Sequence, residues 1–152
     1  MNKTILLICL DKQYAREIAE KLCEKTGQFY LDCQDLLAYE LSNREEIITN
    51  CGIEYLKKQQ HKLIKNLLDY ENTVIVIDYD FYLEDENYKI LNPQIASYYL
   101  FLDKSIIETK ETNIISQIAF EQRDSDLRNI CKKVINCTNK PFSKIISQIT
   151  RK

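Results

Sequence analysis

The chain has 152 residues, 45% of them hydrophobic and 29% charged, with a formal net charge of −2. That length suits one domain, residues 1–152, with a sizeable core. The near-neutral charge excludes the global electrostatic pull of a nucleic-acid binder or an anionic-membrane binder. No apolar run approaches the roughly 18–20 residues that span a bilayer. The N-terminal MNKTILLICLDK ends in Asp and Lys without a small-residue cleavage site, so it reads as a first strand and not a signal peptide. A cytoplasmic location is the default expectation.

Residues 5–9, ILLIC, read as a buried strand running almost directly into a helix. Ala15, Ile18, Ala19 and Leu22 fall on one face of that helix, at the i, i+3, i+4, i+7 spacing of an amphipathic segment. A strand followed by a helix at the start of an α/β chain is where a mononucleotide-binding protein places its phosphate loop. Such a loop needs glycines, because backbone N–H groups must turn inward and approach the phosphates. Only Leu10, Asp11, Lys12 and Gln13 are available here, and none is Gly.

Further along, Gly27 suits a helix C-cap, and residues 28–31, QFYL, a short strand. Asp32 suits an N-cap for a helix over 34–41. Asn43 can cap the next turn, with Glu46 at the capping-box spacing. Residues 53–68 predict a long helix that turns Ile53, Leu56, Leu63, Ile64, Leu67 and Leu68 inward. Residues 73–77, TVIVI, have the β-branched run of a buried parallel strand. Residues 78–91 fit both a loop and a short helix. Residues 96–102 predict a strand, 105–123 helix, and 133–137 a last strand. Phe142, Ile145, Ile146 and Ile149 line a closing helix with Pro141 near its start. Strands alternating with helices argue for an α/β sandwich around a mostly parallel sheet. No repeat, low-complexity tract or linker interrupts the chain.

The six cysteines, at 9, 23, 33, 51, 131 and 137, include no C-x-x-C pair, and the lone His61 is not at metal-ligand spacing from any of them. They are expected to be reduced, mostly buried thiols, and no metal site is expected.

Several strings, with the order of elements, resemble the shikimate kinase family, small P-loop kinases of the nucleoside-monophosphate-kinase type. Ala15-Arg16-Glu17-Ile18-Ala19-Glu20-Lys21-Leu22 follows that family's G-R-x-L-A-x-x-L helix pattern. Phe29-Tyr30-Leu31-Asp32-Cys33-Gln34-Asp35-Leu36 lies in register with F-x-D-x-D-x-x-I. Ile47-Ile48-Thr49-Asn50-Cys51-Gly52-Ile53-Glu54-Tyr55-Leu56-Lys57 matches the spacing of I-F-x-x-x-G-E-x-x-F-R, and Arg123-Asp124-Ser125-Asp126-Leu127 stands in the place of R-x-P-L-Y. The resemblance implies a three-layer αβα sandwich with a five-stranded parallel sheet in the order 2-3-1-4-5. It places segments 5–9, 73–77, 97–102 and 133–137 in that sheet, with 5–9 central.

The family's functional positions are altered. The first turn is about four residues shorter than G-x-x-G-x-G-K-[ST] allows. With Gly27 and Gly52 the only glycines, the chain cannot build a glycine-rich cradle. Lys12 is either a slipped phosphate lysine or a solvated lysine of a helix's first turn. The two Asp positions of D-x-D fall on Leu31 and Cys33. Asp32, one residue off, points to the other face of a strand, and serves either as a vestigial catalytic Asp or as the helix N-cap. The substrate-carboxylate Arg becomes Lys57, which keeps the charge without the bidentate fork, or is one of a solvated row with Lys58 and Lys62. The family's Gly-Gly-Gly turn becomes Asp78-Tyr79-Asp80, in which Asp78 resembles a Walker B carboxylate or is a plain polar strand end. Residues 103–122 contain no Arg to close over phosphates as a lid would. Arg123 is left to stack on an adenine, with little affinity of its own.

Two functions compete on these residues. In the preferred one the fold is kept and phosphotransfer is lost. The protein then acts through its surface on a protein partner, in a binding or regulatory role, or is a decaying paralogue; no cofactor, metal, nucleic acid or membrane is involved. In the alternative it is a divergent kinase that uses ATP and Mg²⁺ to phosphorylate a hydroxyl of shikimate or a similar metabolite. Under the preferred reading, Tyr79, Phe81 and Tyr82 are expected to fill part of the substrate's space at the sheet's carboxyl edge.

Overall fold

The computed structural model describes residues 3–41, 44–110 and 117–150. Five strands form one sheet: β1 (Ile5–Ile8), β2 (Phe29–Asp32), β3 (Thr73–Val76), β4 (Ala96–Phe101) and β5 (Lys133–Asn136). All neighbours are parallel, in the order β2-β3-β1-β4-β5, so β1 is central. Leu6 of β1 pairs with Ile75 on one side and Ser97 on the other. The sheet order, the central strand and the parallel pairing are those implied by the family resemblance.

The period-2 alternation of β1 divides the core into two layers. Ile5 and Leu7, with Val74 and Val76, pack against α1 (Lys12–Thr26) and α9 (Phe142–Thr150). Leu6 and Ile8, with Ile75 and Ile77, pack on the opposite side against α4 (Ile53–Leu67), α5 (Tyr79–Leu83), α6 (Asn87–Leu91) and α8 (Gln117–Ile130). All four residues of β1 and all four of β3 are buried, as strands covered on both faces must be. Helix α1 buries Ala15, Ile18, Ala19 and Leu22, the face expected from their spacing, together with Tyr14. Gly27 ends α1 at φ 77°, and its N–H donates to the Cys23 carbonyl at 2.8 Å.

The remaining helices are α2 (Cys33–Leu41), α3 (Arg44–Cys51) and α7 (Lys104–Lys110). Gly52, at φ 85°, makes the turn between α3 and α4. Ile53, expected inward, is 49% exposed. Burial on α4 begins one turn later, at Leu56, so the apolar pattern runs past the packed part of the helix; buried Gln60 joins the inward face instead. Residues 78–91 resolve into α5, a short 3-10 turn and α6. Of the helical stretch expected over 105–123, α7 and α8 cover 105–110 and 117–123, residues 111–116 lie outside the described residues, and α8 continues to Ile130. Asn43, the expected cap of α3, lies outside the described residues. The six cysteines form no disulfide; four are buried, Cys23 is half-buried and Cys51 is exposed. No helix among the described residues is long and apolar enough to cross a membrane.

Candidate functional site at the carboxyl edge of the sheet

In a parallel α/β sheet the helix N-termini meet at the carboxyl ends of the strands, and ligands bind there. Between β1 and α1 lie Cys9, Leu10 and Asp11, a turn without glycine. Asp11 is 2% exposed and caps α1, its carboxylate accepting from the Tyr14 N–H at 3.3 Å. The donors and positive dipole end of this helix, where an anion would sit, already face an internal carboxylate. Lys12 follows as the first residue of α1. Burial pushes its ammonium pKa below the usual lysine value, neighbouring Arg16 adds to that, and the fields of Asp32, Asp78 and Asp35 oppose it.

Asp32 ends β2 and is 4% exposed. One oxygen accepts from the backbone N–H groups of Gln34 and Asp35, at 2.8 and 3.2 Å, and so caps α2. The other accepts from Arg16 Nε at 2.7 Å. Arg16 Nη2 also approaches Asp35 at 3.6 Å, and the hydrogen bond to Asp32 raises the Arg16 pKa further. Both oxygens of Asp32 are thus committed to structure. Cys33 is fully buried, and its thiol is pushed well above the ordinary value by burial, with Asp32 and Asp78 adding to it, so it stays a neutral core group.

Asp78 stands just past β3, and one of its carboxyl oxygens is buried without a hydrogen-bond partner among the described residues. Next to it, the Tyr79 hydroxyl donates to Asp126 of α8 at 2.6 Å. Burial, and then that hydrogen bond, push the phenol up to about 12. The Arg123 guanidinium lies over the Tyr79 ring, 5.2 Å from its centroid. A second link ties α8 to β4: the Tyr99 hydroxyl donates to Asp124 at 2.6 Å, Arg128 Nε donates to the same carboxylate at 2.9 Å, and Arg128 covers the Phe101 ring at 4.7 Å.

No protein-family model matches the chain, and no curated protein matches it in sequence. Solved structures do match in fold. The shikimate kinase from Acinetobacter baumannii, determined in complex with shikimate, superposes with a TM-score of 0.73 at 14% identity, over 97% of this chain and 92% of that one. The enzyme from Aquifex aeolicus gives 0.72 at 14% identity, over 96% and 93%. That from Bacteroides thetaiotaomicron gives 0.74 at 10% identity, over 97% and 95%. The fold is that of the shikimate kinases.

Within this shikimate-kinase-like fold, the residues singled out by sequence separate. Lys12, Asp32 and Asp78 lie close enough at the carboxyl edge for both carboxylates to act on the lysine. Arg123 sits within α8 against Tyr79. Lys57 is half-buried on α4 and has no hydrogen bond or ion pair among the described residues. Of the three aromatics expected at the cleft, only Tyr79 remains there. Phe81 and Tyr82 are buried in the helical layer, where the Tyr82 hydroxyl donates to Asn92 and its ring meets Tyr88 edge-on at 6.1 Å. The helical period explains this: residues 81 and 82 turn inward once 79–83 are helical. Sequence reasoning missed the capping role of Asp11, although an Asp directly before an amphipathic helix is itself a signal. It also missed the Arg16–Asp32 pair, for which the linear sequence carries no signal. The segment expected to lack a lid falls partly on 111–116, outside the described residues.

Proposed function

We propose that this protein keeps the shikimate-kinase-like fold but no longer transfers phosphate, and that it works in the cytoplasm by binding a protein partner. One observation carries the reading: the α1 N-terminus, where a phosphate loop would present its donors, is closed by the buried carboxylate of Asp11. A nucleoside triphosphate brought there meets a like charge in place of a glycine cradle. The helix dipole is worth roughly 0.3–1 kcal/mol to an exposed anion, against about 1.4 kcal/mol for each tenfold in Kd. Lys12 cannot make up the difference alone. The residues at this edge therefore do not fit ATP with Mg²⁺. Asp32, almost fully buried, spends three hydrogen bonds on Arg16 and the α2 N-terminus, which makes it a poor acceptor for a substrate hydroxyl. Arg123 lies over the Tyr79 ring, and a guanidinium engaged there has less to offer a nucleotide base.

The test is calorimetric titration with ATP, with and without Mg²⁺, and with shikimate, followed by a coupled phosphorylation assay. The expected result is no ATP binding tighter than about millimolar and no turnover. Lys12→Ala should leave thermal stability nearly unchanged with or without ATP. Micromolar binding abolished by Lys12→Ala would overturn the reading.

One observation favours the divergent-kinase alternative: the unpaired Asp78 oxygen in the field of Lys12. A carboxylate at the end of β3 that a bound Mg²⁺ or hydroxyl would satisfy is expected of a working site. Asp78→Asn separates the two. In a kinase it abolishes Mg²⁺-dependent binding, and in a non-catalytic protein it leaves all titrations flat.

A further inference from the structure

We propose that the outer edge of β5 is a docking site for an extended, acidic segment of a partner protein, which adds to the sheet as a further strand. The proposal rests on the reading that the chain acts through a protein partner, and it names the surface and the partner's chemistry.

Charge is distributed unevenly along the sequence. Residues 127–152 hold seven of the 21 Lys and Arg and none of the 23 Asp and Glu. The net charge of −2 therefore combines a basic C-terminal part with an otherwise acidic chain. Arg128 pairs with Asp124 at 2.9 Å, and Arg151 and Lys152 lie outside the described residues. The fold brings the other four to β5 and the helix that follows it. Lys132 and Lys133 are exposed at the start of the strand, Lys140 is half-buried in the turn after it, and Lys144 is exposed on the first turn of α9. None of the four has an ion pair among the described residues. Asp103, whose N–H donates to the Thr138 hydroxyl at 3.1 Å, brings a carboxylate to the far end of the strand, away from Lys132 and Lys133.

The strand between these lysines has an open edge. β5 ends the sheet and pairs only with β4 among the described residues. In a parallel ladder alternate residues direct both backbone groups to the same neighbour. The Cys137 N–H donates to the Phe101 carbonyl at 2.8 Å, so Cys137, Ile135 and Lys133 face β4. Val134 and Asn136 then direct their N–H and carbonyl groups outward, as the free edge of a sheet does. Ile135 and Cys137 turn their side chains to the layer of α1 and α9. Val134 lies on the other side of the sheet, where it is 38% exposed.

Edge and charge together select the occupant. A free strand edge offers main-chain hydrogen bonds to another extended segment. A second copy of β5 would bring the same lysines to the pair, and such charges keep edges apart. A nucleic-acid backbone would use the lysines but not the outward N–H and carbonyl groups. An extended segment with Asp or Glu flanking β-branched residues uses both, its carboxylates on the lysines and an apolar side chain on Val134.

The probe is the peptide acetyl-Glu-Glu-Val-Thr-Val-Thr-Glu-Glu-amide, titrated into the ¹⁵N-labelled full chain. Saturable shifts are expected at the amides of Val134 and Asn136. Two control peptides separate charge from strand pairing. Lysine in place of every glutamate removes the charge match, and proline in place of the central Thr and Val removes a main-chain donor in either register. Each should bind about tenfold more weakly or worse. Lys132→Glu with Lys133→Glu should weaken the acidic peptide about tenfold. Val134→Pro removes an outward N–H that the β4–β5 ladder does not use, which an edge strand tolerates; it should weaken the same peptide about tenfold, with the spectrum outside β5 unchanged. No saturable shift at β5 with the acidic peptide would overturn the proposal. So would equal binding of the proline peptide. Octauridylate binding at the same residues more tightly than the acidic peptide would assign the lysines to a nucleic acid and overturn it too. None of these outcomes touches the loss of phosphotransfer, which the ATP titration and the coupled assay decide. ATP turnover would remove that reading and leave a peptide shift at β5 standing.

Discussion

Replacing Asp32 by Ala distinguishes a structural carboxylate from a catalytic one. Asp32 is almost fully buried, caps α2 through two backbone N–H groups and accepts from Arg16 at 2.7 Å. Loss of the cap costs about 1 kcal/mol. A hydrogen bond to a charged group is worth about 1.5–3 kcal/mol. The lower end applies here, because the Arg16 side chain is 30% exposed and can turn to water or to Asp35 once Asp32 is gone. Asp32→Ala should therefore destabilise by about 2–3 kcal/mol, or a melting temperature lower by roughly 5–10 °C for a chain of this size. Asp32→Asn keeps a capping oxygen and loses only the charge, so it should cost about 1 kcal/mol. Urea denaturation followed by circular dichroism measures both, and a double-mutant cycle with Arg16→Met isolates the pair. If Asp32→Ala leaves stability within about 0.5 kcal/mol of the parent while removing an ATP-dependent activity, Asp32 is a catalytic residue and the reasoning fails.

Three further outcomes are expected. Tyr79→Phe should lose stability relative to the parent at neutral pH. The Tyr79 phenol is raised in the folded state, to about 12 from 10.0, so its contribution is complete below the unfolded value and is lost as pH rises through the folded one. The difference between parent and Tyr79→Phe in urea unfolding should shrink from pH ~10 to pH ~12, and a constant difference would contradict the Tyr79–Asp126 hydrogen bond. Asp124→Ala strands the hydroxyl of Tyr99, which is 1% exposed, and should cost about 1–3 kcal/mol by chemical denaturation. Ile18→Ala, at a fully buried position, should cost about 2–5 kcal/mol, whereas Ile53→Ala, half-exposed at the start of α4, should change stability by no more than about 0.5 kcal/mol in the same assay.

The sequence by itself determined the elements and their layers. Periodicity is local: Ala15, Ile18, Ala19 and Leu22 mark a helix face, and the apolar runs at 5–9 and 73–77 mark strands covered on both sides, before any partner is known. The two glycines are likewise countable without a structure, and they are the ground for expecting no glycine-rich phosphate cradle. Where the pattern misled, at Ile53, the periodicity was real but the packed boundary was not written in it; at Phe81 and Tyr82 the expectation came from their place after β3, and the helix over Tyr79–Leu83 turned them inward. The neighbours of the candidate site residues came only with the tertiary structure. Asp32 reads from sequence as either a cap or a displaced catalytic group. In the fold it caps α2 and pairs with Arg16, because β2 packs beside α1 and so brings Arg16 to it from sixteen positions away. Tyr79 and Asp126 are separated by 47 positions, and only the packing of α8 over the carboxyl edge joins them. A side chain's role in a site is set by what surrounds it in space, and those neighbours are supplied by sheet order and helix packing, which no local pattern encodes.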